Sequence, residues 1–111
     1  MINYQKLPKL TPEETIKKLN SSSGEELCLL LLSLSELDDW LWVQNTYLTF
    51  IGHNDKWVAS AAITGLGHLA RNCGNLEKEK VLTILKNTLT KRPELQGKIE
   101  DAISDIDIFI T

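Results

Sequence analysis

Residues 54–71, NDKWVASAAITGLGHLAR, restrict this chain to one kind of packing. At about 100° per residue, Val58, Ala61, Ala62, Gly65, Leu66 and Leu69 fall on one stripe of a helix. A seam built from Ala and Gly gives up apolar area and lets a neighbouring helix come close. That exchange suits stacked helix pairs better than an isolated bundle. The Asn54-Asp55 step ahead of the seam predicts an N-cap, because a short side-chain oxygen can accept from the unpaired amides of the first turn. Gly74 beyond it predicts a left-handed C-terminal cap.

Five further helices are marked mainly by their ends. Thr11-Pro12-Glu13-Glu14 reads as a capping box with proline at the first helical position, opening a helix to about Asn20. Ser23 to Glu26 reads as a second box, opening a helix to about Leu37. Its LCLLLL centre is apolar all round and predicts cover on several sides. Asp38-Asp39 start a third helix, closed by Gly52, with Trp40, Val43, Tyr47, Phe50 and Ile51 as its seam. Asn75 is the expected cap of a helix from Leu76 to about Thr90, with Val81, Leu82, Ile84, Leu85 and Leu89 apolar. Pro93 enters the first turn of the last helix, whose stripe is Ile99, Ala102, Ile103, Ile106 and Ile110. No long stretch alternates with period two, although IDIFI near the end also suits a strand.

Length and charge narrow the function classes. At 111 residues the chain is expected to form one domain, with a core large enough to stand without staples. The net charge of −3 argues against nucleic acid, whose binding rests on neutralising phosphates. Residues 38–74 hold three acids and two bases, and residues 100–111 hold four acids and no base, so a cationic partner is favoured over an anionic one. Cys28 and Cys73 lie in apolar helical patterns without C-x-x-C spacing, which reads as two buried free thiols in a reducing cytoplasm. MINYQKLPKL has no apolar core of the signal-peptide type, and the densest apolar run, Leu27 to Leu32, is far short of the roughly 20 residues a membrane span needs. A soluble protein without a membrane role is expected.

Asp55, Val58, Ala62, Leu66 and Gly67, in the order D-x-x-V then A-x-x-x-L-G, resemble the second helix of a HEAT repeat, most closely the small bacterial type of this armadillo-like family. Val58-x-x-Ala61-Ala62 returns 41 residues later as Ile99-x-x-Ala102-Ile103, within the usual HEAT period of about 40–47. The resemblance implies an all-α fold, a short right-handed α-α superhelix of about six helices in three antiparallel pairs. Residues 1–111 then form one helical-repeat domain, with a divergent pair at 1–37, a central pair at 38–74 and a C-terminal pair at 75–111. One departure stands out. The position after the valine is often basic in HEAT repeats and pairs with acids in neighbouring turns. Here Gln44, Ala59 and Glu100 occupy it, so the polar ladder is expected to be absent and the unit to be self-capped.

Catalytic and cofactor chemistry find no support. His53 and His68 have no cysteine pair or carboxylate at ligand spacing, so neither a metal nor another cofactor is expected. No nucleophile elbow, phosphate loop or H-E-x-x-H motif occurs, and the acid pairs Glu13-Glu14 and Asp38-Asp39 sit at helix starts, where they cap. The chain is not expected to be an enzyme.

Partner binding is the remaining reading. Trp42 lies about 160° from Trp40 on the polar side of its helix, where it either anchors a partner or packs on the first helix. Trp57 sits at the edge of its helix stripe and either joins the contact or seals the turn between pairs. Asp101, Asp105 and Ile108 share the outer face of the last helix, as a small interface patch or as a frayed end. In HEAT folds the second helix of each pair lines the concave face. The resemblance therefore brings Lys56, Ser60, Thr64, Gly67 and Arg71, with His68 beside them, toward Asp101 and Asp105. A small acidic unit of this form is similar to immunity proteins that neutralise bacterial toxins, and it implies a protein partner, a cationic toxin domain. The alternatives are a HEAT scaffold or assembly subunit, and behind it a bilin-lyase-like or DNA-binding HEAT protein.

Overall fold

A computed structural model describes residues 12–110. Among these residues there are six α-helices and no strand: α1 Pro12–Ser21, α2 Gly24–Ser33, α3 Trp40–Phe50, α4 Lys56–Cys73, α5 Lys78–Lys91 and α6 Gln96–Phe109. Short 3-10 turns at Leu34–Glu36 and Pro93–Leu95 precede α3 and α6. The all-α class is as the sequence indicates, and IDIFI is helical through Phe109. The expected Thr11 cap and the MINYQKLPKL segment lie outside the described residues.

The fold is organised around α4. It packs against α2, α3 and α6, and α1, α3 and α5 lie against α2, α4 and α6 respectively. Ten of its 18 residues are buried. The expected seam is buried in full, and so are Ala59, Ile63, Gly67 and Ala70. The narrow stripe is thus a correction: this helix is covered on most of its circumference, and small side chains are needed on several sides. Ala59 has no exposure, so the basic residue common at that HEAT position would here be a charge in the core.

Gly65 admits a side chain of α3. A Cβ built there would strike the ring of Tyr47 on α3, coming within 2.8 Å of its Cε2 atom. Tyr47 is fully buried, and its hydroxyl donates to the Leu31 carbonyl oxygen at 2.6 Å. One tyrosine therefore ties α3 to the end of α2 while lying flat on the glycine of α4.

Two polar links set the pairs against each other. Buried Gln44 on α3 donates through Nε2 to Glu77 Oε1 at 2.8 Å, and its Oε1 accepts from the Glu77 backbone amide at 2.7 Å. Past the end of α3, Arg92 Nη1 donates to the carbonyl oxygens of His53 at 2.7 Å and Ile51 at 3.4 Å. Glu77 before α5 meets the middle of α3 and Arg92 after α5 meets the segment that follows α3, so these helices run parallel. The expectation of no polar ladder is corrected at Gln44, where an uncharged amide spans the two pairs.

Helix ends account for the other departures. Asp39 and Asp55 cap α3 and α4, accepting from the amides of Trp42 at 3.1 Å and Trp57 at 2.9 Å, and Gly74 takes the left-handed conformation with φ 70°. The Ser23–Glu26 box does not form; Ser22 Oγ donates to Glu26 Oε1 instead. α2 stops at Ser33 rather than near Leu37, because the chain tightens to a 3-10 turn that buries Leu34. Nor is α2 covered all round. Leu27, Leu30 and Leu31 are inside, whereas Leu29, on the opposite side, is 60% exposed. α5 starts at Lys78 rather than Leu76, with Glu77 as its N-cap, since Gln44 takes the amide that Asn75 was expected to cap. Cys28 and Cys73 are half-exposed free thiols, not buried ones.

Gly65→Ala should lower stability by about 1–3 kcal/mol through overpacking on Tyr47, read by urea unfolding; no change would remove the close-approach argument. Burial raises the Tyr47 pKa. A raised folded-state value means its contribution is complete below the unfolded value of about 10 and is lost as pH climbs above it. Unfolding free energy measured from pH 8 to 11 should therefore fall more steeply in the native protein than in Tyr47→Phe.

Candidate protein-binding groove

The parallel course of α4 and α6 creates a groove between them. Gly67 of α4 lies against Ala102 and Asp105 of α6, and one turn on Arg71 meets Asp105, so the two helices advance in step. The groove holds about 330 Å³ and is lined from α4 by Thr64, Gly67, His68 and Arg71. From α6 it is lined by Lys98, Asp101, Ala102, Ser104 and Asp105. The structure thus brings together His68, Arg71, Asp101 and Asp105 along one groove. Lys56 and half-buried Ser60 lie earlier on α4 and are not among its walls.

Gly67 determines how closely the walls approach. A Cβ there would sit 2.8 Å from Asp105 Oδ2 and 3.5 Å from the Ala102 Cα. The Asp105 carboxylate therefore rests on the backbone of α4, with the Arg71 Nε 3.8 Å from its Oδ2. That pair is loose, and both side chains retain solvent contact, at 47% and 28% exposure, so it contributes little to stability.

The other expected contact residues are scattered. Trp57 is 66% exposed at the start of α4, with Lys56 Nζ 5.1 Å from its ring centre, a surface cation–π pair. Ile108 is 67% exposed near the end of α6. Trp42, left open between a partner contact and packing on the first helix, is half-exposed and packs against the core. Sequence reasoning missed Ser104 in the groove and a second depression of about 450 Å³, bordered by Ser35, Glu36, Leu37, Asp38, Asn72 and Cys73. Only the exposed acids of the Glu36–Asp38 turn could have signalled it.

Reactive chemistry is not gathered here. Among the described residues no three His, Cys, Asp or Glu side chains form a metal-binding group. His53 is occupied locally, its Nδ1 accepting from the Asp55 amide at 3.0 Å. Burial pushes the Cys28 thiol up, and the carboxylates of Asp55 and Glu25 push it further, so the nucleophilic thiolate is disfavoured. No helix of the described residues is long and apolar enough to cross a membrane.

Fold and groove define a small all-α protein with a preformed, charge-lined surface. No protein-family model matches the chain, and no curated protein sequence does. A solved structure does match: a chain in the crystal structure of a CDI complex from Cupriavidus taiwanensis LMG 19424, at 24% identity and a TM-score of 0.81, over 100% of both chains. At this identity the match establishes a shared fold along the whole length.

Trp42→Ala should destabilise the fold by about 1–3 kcal/mol, because it empties space against the core, whereas Trp57→Ala should stay within about 0.5 kcal/mol. Thermal melts of the two variants separate packing from surface roles; equal melting temperatures would return Trp42 to the free surface.

Proposed function

We propose that this protein is a non-enzymatic immunity protein, which neutralises a bacterial toxin domain by binding it in the cytoplasm. The observation that carries the reading is the end-to-end likeness to a chain of a CDI, or contact-dependent inhibition, complex. Partial alignment would be compatible with a shared helical hairpin. A match with no unmatched portion on either side means the two chains are built to the same plan.

Two features of the chain support the inhibitor role within such a complex. Its net charge is −3, and its charged groove is formed by two well-packed helices. A preformed surface with a net charge opposite to its target favours rapid capture, which an inhibitor of a toxic activity needs. A cationic toxin domain is the partner this charge fits. The same plan supports a HEAT-type relationship, since α3 runs parallel to α5 and α4 to α6, as successive helix pairs of a repeat would.

The test is co-expression with the C-terminal domain of the protein encoded immediately upstream, followed by titration of the purified pair. Restored growth together with a sub-micromolar complex is expected. Growth arrest on expressing this chain alone would make it the toxic partner, and the absence of both protection and binding would return it to the scaffold reading.

A further inference from the structure

The end of α6 breaks a rule that helices usually keep. The partial negative charge at a helix C-terminus favours bases, yet the last five residues of α6 carry Asp105 and Asp107 and no base. Because α4 runs parallel, its own C-terminus, capped at Gly74, lies toward the same end of the groove. Two like helix ends and two carboxylates therefore share one corner of the protein.

The available compensation is incomplete. Lys78 of α5 reaches Asp107 at 3.6 Å and the Ile110 carbonyl oxygen at 3.2 Å, so it is already committed. Arg71 touches Asp105 only loosely, through Nε at 3.8 Å. Asp101 is exposed and has neither a hydrogen bond nor an ion pair to any described residue. Lys98 lines the same groove one turn before Asp101 without an ion pair to it, and lies about 10 Å along the axis from Asp105.

Asp101, Asp105 and Ile108 fall on one stripe of α6, within about 60° of arc. The stripe pairs carboxylates with an aliphatic side chain that is 67% exposed. Lysine and arginine have the matching anatomy, an apolar stem that covers Ile108 and a charged head that reaches the acids. Gly67 adds direction. An alanine at this interior helix position would be better for the helix, but its Cβ would displace the Asp105 carboxylate from the α4 backbone.

We propose that the Asp101–Asp105–Ile108 stripe beside the α4–α6 groove receives a lysine or arginine side chain of the toxin, with Gly67 positioning Asp105 for it. This rests on the immunity reading above. The head group binds Asp105 and Asp101, and Arg71 yields its loose contact and turns outward.

The experiment is titration of the same upstream-encoded toxin domain against native protein, Asp105→Asn, Asp105→Lys, Asp101→Asn, Gly67→Ala and Lys86→Gln at two salt concentrations, with melting temperatures recorded for each. Asp105→Asn should weaken binding at least tenfold and reduce its salt dependence, with Asp101→Asn weaker in the same direction. Lys86→Gln, at an exposed position of α5 outside the groove, should bind as the native protein does. Asp105→Lys should lose binding and regain part of it against a toxin domain carrying a single Lys→Glu or Arg→Glu change. Native affinity in Asp105→Asn, with the native complex intact, would overturn the cation site and leave the immunity reading standing. No complex with the native protein would overturn both. Gly67→Ala is judged only beside Asp105→Asn, since the asparagine variant retains the shape of the site and reports even where the alanine variant is destabilised.

Discussion

The contact of Tyr47 with Gly65 is the constraint on which the arrangement of helices depends. It requires a residue without a side chain on α4, a large ring on α3 and a carbonyl oxygen at the end of α2, all at one point. A tyrosine buried without a hydrogen bond would carry a substantial penalty, so its 2.6 Å bond to Leu31 fixes where α2 ends as well as where α3 lies. With α2 and α3 seated, the remaining sides of α4 are left for α6, and the small side chains along α4 let it approach.

The orientation of the groove follows from polar contacts more than from apolar ones. Apolar burial has no strong preference for one register of two stacked helices over another. Gln44 and Arg92 supply that preference at the middle of α3 and just past its end, where amides and carbonyl oxygens must align for the bonds to form. α5 is thereby held parallel to α3, and α6, packed on α5, is carried into its parallel course beside α4. The C-terminal ends of α4 and α6 come together for that reason, and so do the residues of the groove.

A surface made this way suits binding better than catalysis. Its side chains stand on helices whose other faces are buried, so they are presented with little need for reordering when a partner arrives. The cost of that rigidity falls on the charged positions, Asp105 above all, which sits where a helix end disfavours it. Local rules are usually broken at functional positions, and here the broken rule lies on the wall of the groove.

The six helices and the Asp39, Asp55 and Gly74 caps were legible in the residues, because capping and helical periodicity are local effects, whereas the meeting of Arg71 with Asp101 and Asp105 was implied only by the HEAT resemblance. Apart from the local Ser22–Glu26 bond that replaces the Ser23 box, the departures that shape the surface involve groups distant in sequence. Asn75 does not cap α5, because Gln44, 33 residues earlier, takes the Glu77 amide. Trp42 opposes the seam of its own helix, so the residues left it between a partner and the protein's own packing, and the core extends to it from elsewhere. Leu29 looked covered because its neighbours are leucines, yet no described element covers that side of α2. Periodicity specifies which face of a helix is apolar, but only the packed chain specifies how many neighbours reach it, since those neighbours come from segments whose distance along the sequence carries no local signal. Gly65 and Gly67 make the same point: both were readable as sites of close approach, but that one admits a tyrosine and the other a carboxylate follows from the position of α3 and α6 alone.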